Sequence, residues 1–216
     1  MKYKRILSVL TTAVMLTASF GGLLPRGTAQ ITDTQLAVAA WDGETEDGFC
    51  YQKSSDGTYI IITEYKKNEE DVRIPATIEG LPVKQISTGQ ANGAVFYSKG
   101  KLKSVTVPEG VERIEYGTFW ECKNLVSVSL PDSLKNICWY AFNRCSSLPG
   151  IRLPNGVSIG NYAFQSCSAL KSISLKGVTI IGDNTFANCS SLAAVTDTES
   201  ITAINQKAFL NCASLA

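Results

Sequence analysis

The chain has 216 residues, 44% of them hydrophobic and 18% charged, with 20 Lys+Arg against 19 Asp+Glu and no histidine. Such a composition can bury a core and excludes disorder of the whole chain. The absence of histidine removes the commonest general base, the Ser/His/Asp and Cys/His pairs and most zinc sites.

Lys2, Lys4 and Arg5 precede an apolar run from Ile6 to Leu24, the layout of a secretory signal peptide. A retained membrane anchor is the competing reading, weakened by the hydroxyls and glycines within the run. Small-residue cleavage sites end at Ala29 and at Ala39, and no cysteine precedes Cys50 to carry a lipid. Removing residues 1–39 takes four basic residues (Lys2, Lys4, Arg5, Arg26) and one acidic residue (Asp33), leaving 16 Lys+Arg and 18 Asp+Glu. A mildly acidic mature chain is poorly suited to nucleic acid or to an anionic membrane. No membrane insertion is expected after signal removal.

Residues 40–71 read as an N-terminal cap. Within them, Thr58 to Thr63 forms a strand that the turn Ser55-Asp56-Gly57 pairs with Phe49 to Gln52. The acidic groups Glu44, Glu46 and Asp47, and Glu69, Glu70 and Asp71, sit in polar stretches and read as solvated turns rather than as a catalytic carboxylate pair. No catalytic, cofactor-binding or metal-binding residue is assigned.

From residue 72 to 216 the sequence repeats. Phe96, Phe119, Phe142, Phe164, Phe186 and Phe209 are spaced by 23, 23, 22, 22 and 23 residues. Cys122, Cys145, Cys167, Cys189 and Cys212 follow three places later. Leu125, Leu148, Leu170, Leu192 and Leu215 follow three beyond those, and then come alternating apolar pairs such as Val128/Leu130. One unit cannot bury its own apolar face, so the units must stack as a solenoid. The V-x-L alternation predicts a strand in each unit, and the F-x-x-C stretch predicts a short helical or 3-10 turn. The expected fold is therefore an α/β solenoid of 22–23-residue leucine-rich repeats. It has a narrow parallel sheet on one side, short turns of helix on the other and a β-hairpin cap at the N-terminus. Six such repeats span roughly 25 to 30 Å at the strand spacing of a sheet. The last repeat stops before its strand, which is read as continuation of the protein or a frayed end.

Five of the seven cysteines occupy one repeat position, where a small apolar side chain suits a crowded interior, so buried free thiols are expected. Stacked copies lie near enough for a disulfide, but equivalent side chains seldom present the required dihedral.

Cys122 to Pro131 (CKNLVSVSLP), Ile159 to Phe164 (IGNYAF) and Ile181 to Phe186 (IGDNTF) resemble the BspA-like leucine-rich-repeat family, and the likeness extends over residues 72–216. Val72-Arg73-Ile74-Pro75 and Gly80 to Ile86 look like that family's entry segment. The chain departs from the pattern at Lys176 and at Asp197 to Ser200, where an irregular sheet edge is expected. The resemblance implies a secreted or cell-surface bacterial protein that binds host or microbial macromolecules, often with further domains attached.

Two surfaces emerge when the repeats are aligned. Outward strand positions (Ser104/Thr106, Ser127/Ser129, Gly150/Arg152, Ser172/Ser174, Ala194/Thr196) form a hydroxyl-rich strip with Arg152 near its middle. Beside the phenylalanines, Tyr116, Trp120, Trp139, Tyr140 and Tyr162 gather on one flank. Each surface reads either as a partner site or as ordinary structure: a solvated sheet in the first case, a second small core in the second. The expected function is an extracellular binding or adhesion module for a protein or glycan. A self-associating surface component and the N-terminal targeting region of a larger protein are the alternatives.

Overall fold

A computed structural model describes residues 41–87 and 95–215, so the signal-peptide reading of residues 1–39 lies outside the described residues. The chain opens with β1 (Gly43–Glu44), β2 (Phe49–Lys53) and β3 (Ile60–Tyr65), paired antiparallel in sequence. The turn between β2 and β3 is tied by the Ser54 hydroxyl, which donates to Asp56 Oδ1 at 2.6 Å, and by the Thr58 amide, which donates to the same oxygen. β4 (Asp71–Arg73) and β5 (Thr77–Ile78) lead to β6 (Leu81–Ile86), which lies parallel to β3. From here the chain coils.

Each coil contributes to two parallel ladders. The first runs through β4, β7 (Ser104–Thr106) and β9 (Ser127–Ser129), and resumes with β12 (Ser172–Ser174) and β14 (Ala194–Thr196). The second runs through β6, β8 (Arg113–Ile114), β10 (Asn136–Ile137) and β11 (Ser158–Ile159), and resumes with β13 (Ile180–Ile181) and β15 (Ala203–Ile204). Gly150 to Arg152, expected as a strand, is not one. The amides of Val126 and Ala193 donate to the coils before them, to Lys103 O and Lys171 O, but Pro149 occupies the equivalent place and has no N–H to give. Ahead of Asp197 to Ser200, where an irregular edge is expected, β14 pairs in register on β12, and Asp197 itself is left-handed at φ 55°.

The helical turns expected around each Phe are absent: no helix occurs among the described residues. Phe and Cys three apart do fall on one side, but the residues two before and two after each Phe from Phe119 to Phe209 adopt left-handed backbone. These include Tyr140 (φ 59°) and Arg144 (φ 60°), and Tyr162 and Ser166 (both φ 61°). Such residues end any helical run. The amides turn instead along the solenoid axis: Phe119 N donates to Ala141 O and Phe142 N to Ala163 O, both at 2.8 Å. The turn side is thus a third ladder of backbone bonds.

The core is a set of columns. The phenylalanine rings stack at 5.1, 5.1, 5.3, 5.5 and 5.4 Å from Phe96 to Phe209, and Tyr65 and Phe49 of the hairpin extend the column at 5.2 and 4.7 Å. Beside it runs the cysteine column. Each thiol donates to the carbonyl of the phenylalanine one coil earlier: Cys122 to Phe96, Cys145 to Phe119, Cys167 to Phe142, Cys189 to Phe164 and Cys212 to Phe186, at 3.0 to 3.2 Å. Phe119 O also accepts the Cys122 amide, so one carbonyl serves both its own turn and the next coil. All seven cysteines are free thiols.

Burial pushes the Cys122 and Cys189 thiols from the ordinary 9.0 up to about 12, and Cys145 and Cys167 well above their ordinary value. Unfolded thiols lose their protons first as pH rises, so the stability these groups contribute is intact below about pH 9 and is lost as pH climbs toward 12. Denaturant melts across this window should show that loss, and it should shrink in Cys145→Ala. A thiol reagent near neutral pH should react slowly with the column cysteines of the folded chain and count all seven thiols after denaturation. Finding a single thiol would contradict the unbridged column.

Candidate functional site

The aromatic residues read from the sequence divide between two sides of the turn ladder. Tyr116, Trp120, Tyr140 and Tyr162 come together. Trp120 lies 5.7 Å from Tyr140 in a stacked arrangement and 6.4 Å from Tyr116 edge-on, while Tyr116 lies 5.3 Å from Tyr140. Tyr140 and Tyr162 stack at 4.7 Å with their planes 4° apart. Tyr97, overlooked in the sequence, joins this group at 5.6 Å from Trp120 and is 50% exposed. It shares the column of Trp120, but its repeat carries Lys99 where the others have cysteine, which hid the equivalence.

Left-handed backbone at Tyr140 and Tyr162 is uncommon for a bulky side chain and persists only where the surroundings fix it. Here the stacked rings and axial backbone bonds do so. Stacking of Trp120 on Tyr140 and of Tyr140 on Tyr162 covers ring faces along this row. The Trp120 indole N–H is buried without an acceptor.

Trp139, next in sequence to Tyr140, turns the other way and is 55% exposed. It lies against the next coil at Gly160, where an added Cβ would come within 2.7 Å of the indole Cδ1 and of the Trp139 amide nitrogen. A depression of about 320 Å³ opens beside it, floored by Gly160 and Gly182 and bordered by Asn161 and Ile180.

Arg152 stands apart from both. Its guanidinium donates to Asp132 at 2.8 Å on the hydroxyl strip, and both side chains are mostly solvated, so the pair contributes little to stability. Several strip hydroxyls are engaged by acidic neighbours: Ser174 donates to Asp197 at 2.6 Å and Thr196 to the same carboxylate at 3.1 Å.

Cys138 lies outside the cysteine column, near Arg113. Burial, reinforced by Glu115, pushes its thiol up to about 12, so it stays protonated at neutral pH. Among the described residues, no cluster of His, Cys, Asp or Glu offers a metal site, and no helix is long and apolar enough to cross a membrane.

Parallel ladders, a phenylalanine column and 22–23-residue coils define a leucine-rich-repeat β-solenoid of about six turns. The family signature described as "BspA type Leucine rich repeat region" matches residues 91–216 in six copies. The chain belongs to that family.

Among solved structures, a leucine-rich-repeat protein of T. pallidum is similar at 28% identity and a TM-score of 0.68, over 81% of this chain and 91% of that one. A leucine-rich cell surface protein of Faecalibacterium prausnitzii is similar at 32% identity and 0.66, over 77% and 45%. A leucine-rich-repeat protein of Bacteroides ovatus is similar at 26% and 0.64, over 81% and 52%. The chain therefore spans about half the length of the last two. No functionally curated protein matches it.

Trp139 and Tyr140 should differ sharply on substitution. Tyr140→Ala removes contacts with three rings and should cost about 2 kcal/mol in urea unfolding. Trp139→Ala should cost less than about 1 kcal/mol. Equal losses would place both rings in one packed cluster.

Proposed function

We propose that the chain is an extracellular binding module that presents the aromatic side chains flanking its turn ladder to a protein or glycan at the cell exterior. The observation that carries this reading is the exposure of large aromatic side chains, Tyr97 and Trp139, on a body whose phenylalanine column from Phe96 to Phe186 and leucine column from Leu102 to Leu192 are buried. Exposed aromatic surface of this kind marks interaction sites. Tyr116, Trp120, Tyr140 and Tyr162 give the flank a rigid edge, and Arg152 belongs to a separate polar strip.

The basic, then apolar, N-terminus supports export. The likeness to a cell surface protein of Faecalibacterium prausnitzii supports a place on the cell exterior. In this reading the β2–β3 hairpin serves as the N-terminal cap, since its rings extend the phenylalanine column beyond the first coil.

The purified chain should bind saturably to an immobilised macromolecule of the cell exterior at concentrations where sedimentation finds it monomeric. Tyr97→Ala with Trp139→Ala should weaken that binding about ten-fold or more. A mass that rises with concentration, with no saturable binding to any foreign surface, would replace this reading with self-association.

A further inference from the structure

Trp139 stands apart from the group of aromatic residues in mutual contact. In the Tyr97 to Tyr162 group, Trp120, Tyr140 and Tyr162 stack on one another, and Tyr97 meets Trp120 edge-on. Trp139 takes no part in that stack and, at 55% exposure, keeps ring surface open to water.

The depression beside it has a cause in the repeat. Four residues before the phenylalanines from Phe119 to Phe209 stand Glu115, Cys138, Gly160, Gly182 and Asn205. Neither Gly160 nor Gly182 has left-handed backbone, so conformation does not demand glycine at these places. Close approach does. Gly160 admits the backbone and indole of Trp139, and Gly182 admits the Asn161 side chain. Two bare coils in succession make a floor about 320 Å³ in volume, with Trp139 at one end and Asn205 at the other.

The walls carry Ser158 and Thr179 hydroxyls, the Asn161 and Asn205 amides, and Ile180, which is 51% exposed. Asn161 is held in place, accepting from the Asp183 amide at 3.0 Å and donating to that carboxylate at 3.4 Å. No Lys, Arg, Asp or Glu lines the groove.

We propose that the groove between Trp139 and Asn205 binds a neutral saccharide, the C–H face of a sugar ring lying on the indole and its hydroxyls meeting the amides and hydroxyls of the walls. This rests on the reading of the chain as an exterior binding module and adds the ligand class of one site. The size suits one or two sugar units: small-ligand clefts begin near 300 Å³, whereas a stable protein interface buries roughly 800 Å² per partner. A phosphorylated, sulfated or strongly charged ligand would bring charge into a groove that offers no counter-charge. A saccharide needs what is present, one apolar platform and several neutral hydrogen-bonding groups.

The test is a titration of the full chain with neutral oligosaccharides of glucose, galactose, mannose and N-acetylglucosamine, followed by tryptophan fluorescence and calorimetry. A matched anionic set serves as the control. At least one neutral series should bind and perturb the tryptophan emission. Trp139→Ala should weaken it more than about ten-fold with the thermal midpoint nearly unchanged, and Asn205→Ala should weaken it several-fold. Binding that survives Trp139→Ala, preference for the anionic set, or no neutral saccharide bound up to about 10 mM would each overturn the proposal. If the chain still binds an exterior protein in that last case, only the saccharide assignment fails; if it binds nothing, the module reading fails with it.

Discussion

Everything in this protein depends on contacts made along the solenoid axis. A 22- or 23-residue coil has too few side chains to enclose a core of its own. It becomes stable when its phenylalanine meets the next phenylalanine about 5 Å away and its cysteine thiol satisfies the carbonyl of the phenylalanine one coil earlier. The same residue supplies the ring that fills space and the carbonyl that receives the thiol. Cysteine fits because its side chain is small, apolar enough to be buried and able to donate weakly. Serine would bring a stronger dipole into a site walled by aromatic and leucine side chains, and alanine would leave the carbonyl with only the amide of its own turn.

That dependence explains which parts of the structure could be read in advance. Phe96 to Phe209, the five cysteines and the leucines after them were legible because stacking forces every coil to repeat them at one spacing. The outward strand residues, from Ser104 to Thr196, were legible by alternation. The helical turns were not, because three-residue spacing fits a helix equally well and the left-handed residues that break it include Tyr140, Tyr162 and Arg144, whose identities give no warning. Pro149 did carry a visible signal: a residue without an amide N–H stands where the neighbouring coils bond axially, and the first ladder is interrupted there.

The candidate site was half legible for a related reason. Aligned repeats show which positions leave the core, but not which way a side chain turns once outside. Tyr116 and Trp139 share a column and part company: one joins the ring stack while the other lies against Gly160, where glycine leaves room. The features that separate a packed ring from a presented one are therefore in the neighbouring coil, one repeat away. Interior columns can be nearly constant because they meet only their own copies. Exterior columns are free to vary, and the aromatic side chains and bare glycines that distinguish the middle coils lie there.

The most direct test of the axial account compares two pairs of phenylalanines in denaturant unfolding. Phe142 and Phe164 stack on each other at 5.3 Å and are fully buried, whereas Phe119 and Phe186 belong to coils with those two between them. If stacking between coils holds the fold together, Phe142→Ala should cost about 3 to 5 kcal/mol. A double-mutant cycle on Phe142 and Phe164 should then show a coupling above about 0.5 kcal/mol, while Phe119 and Phe186 should be additive within that margin. Additive losses in the adjacent pair would mean that each coil is stabilised from within, and would contradict the account.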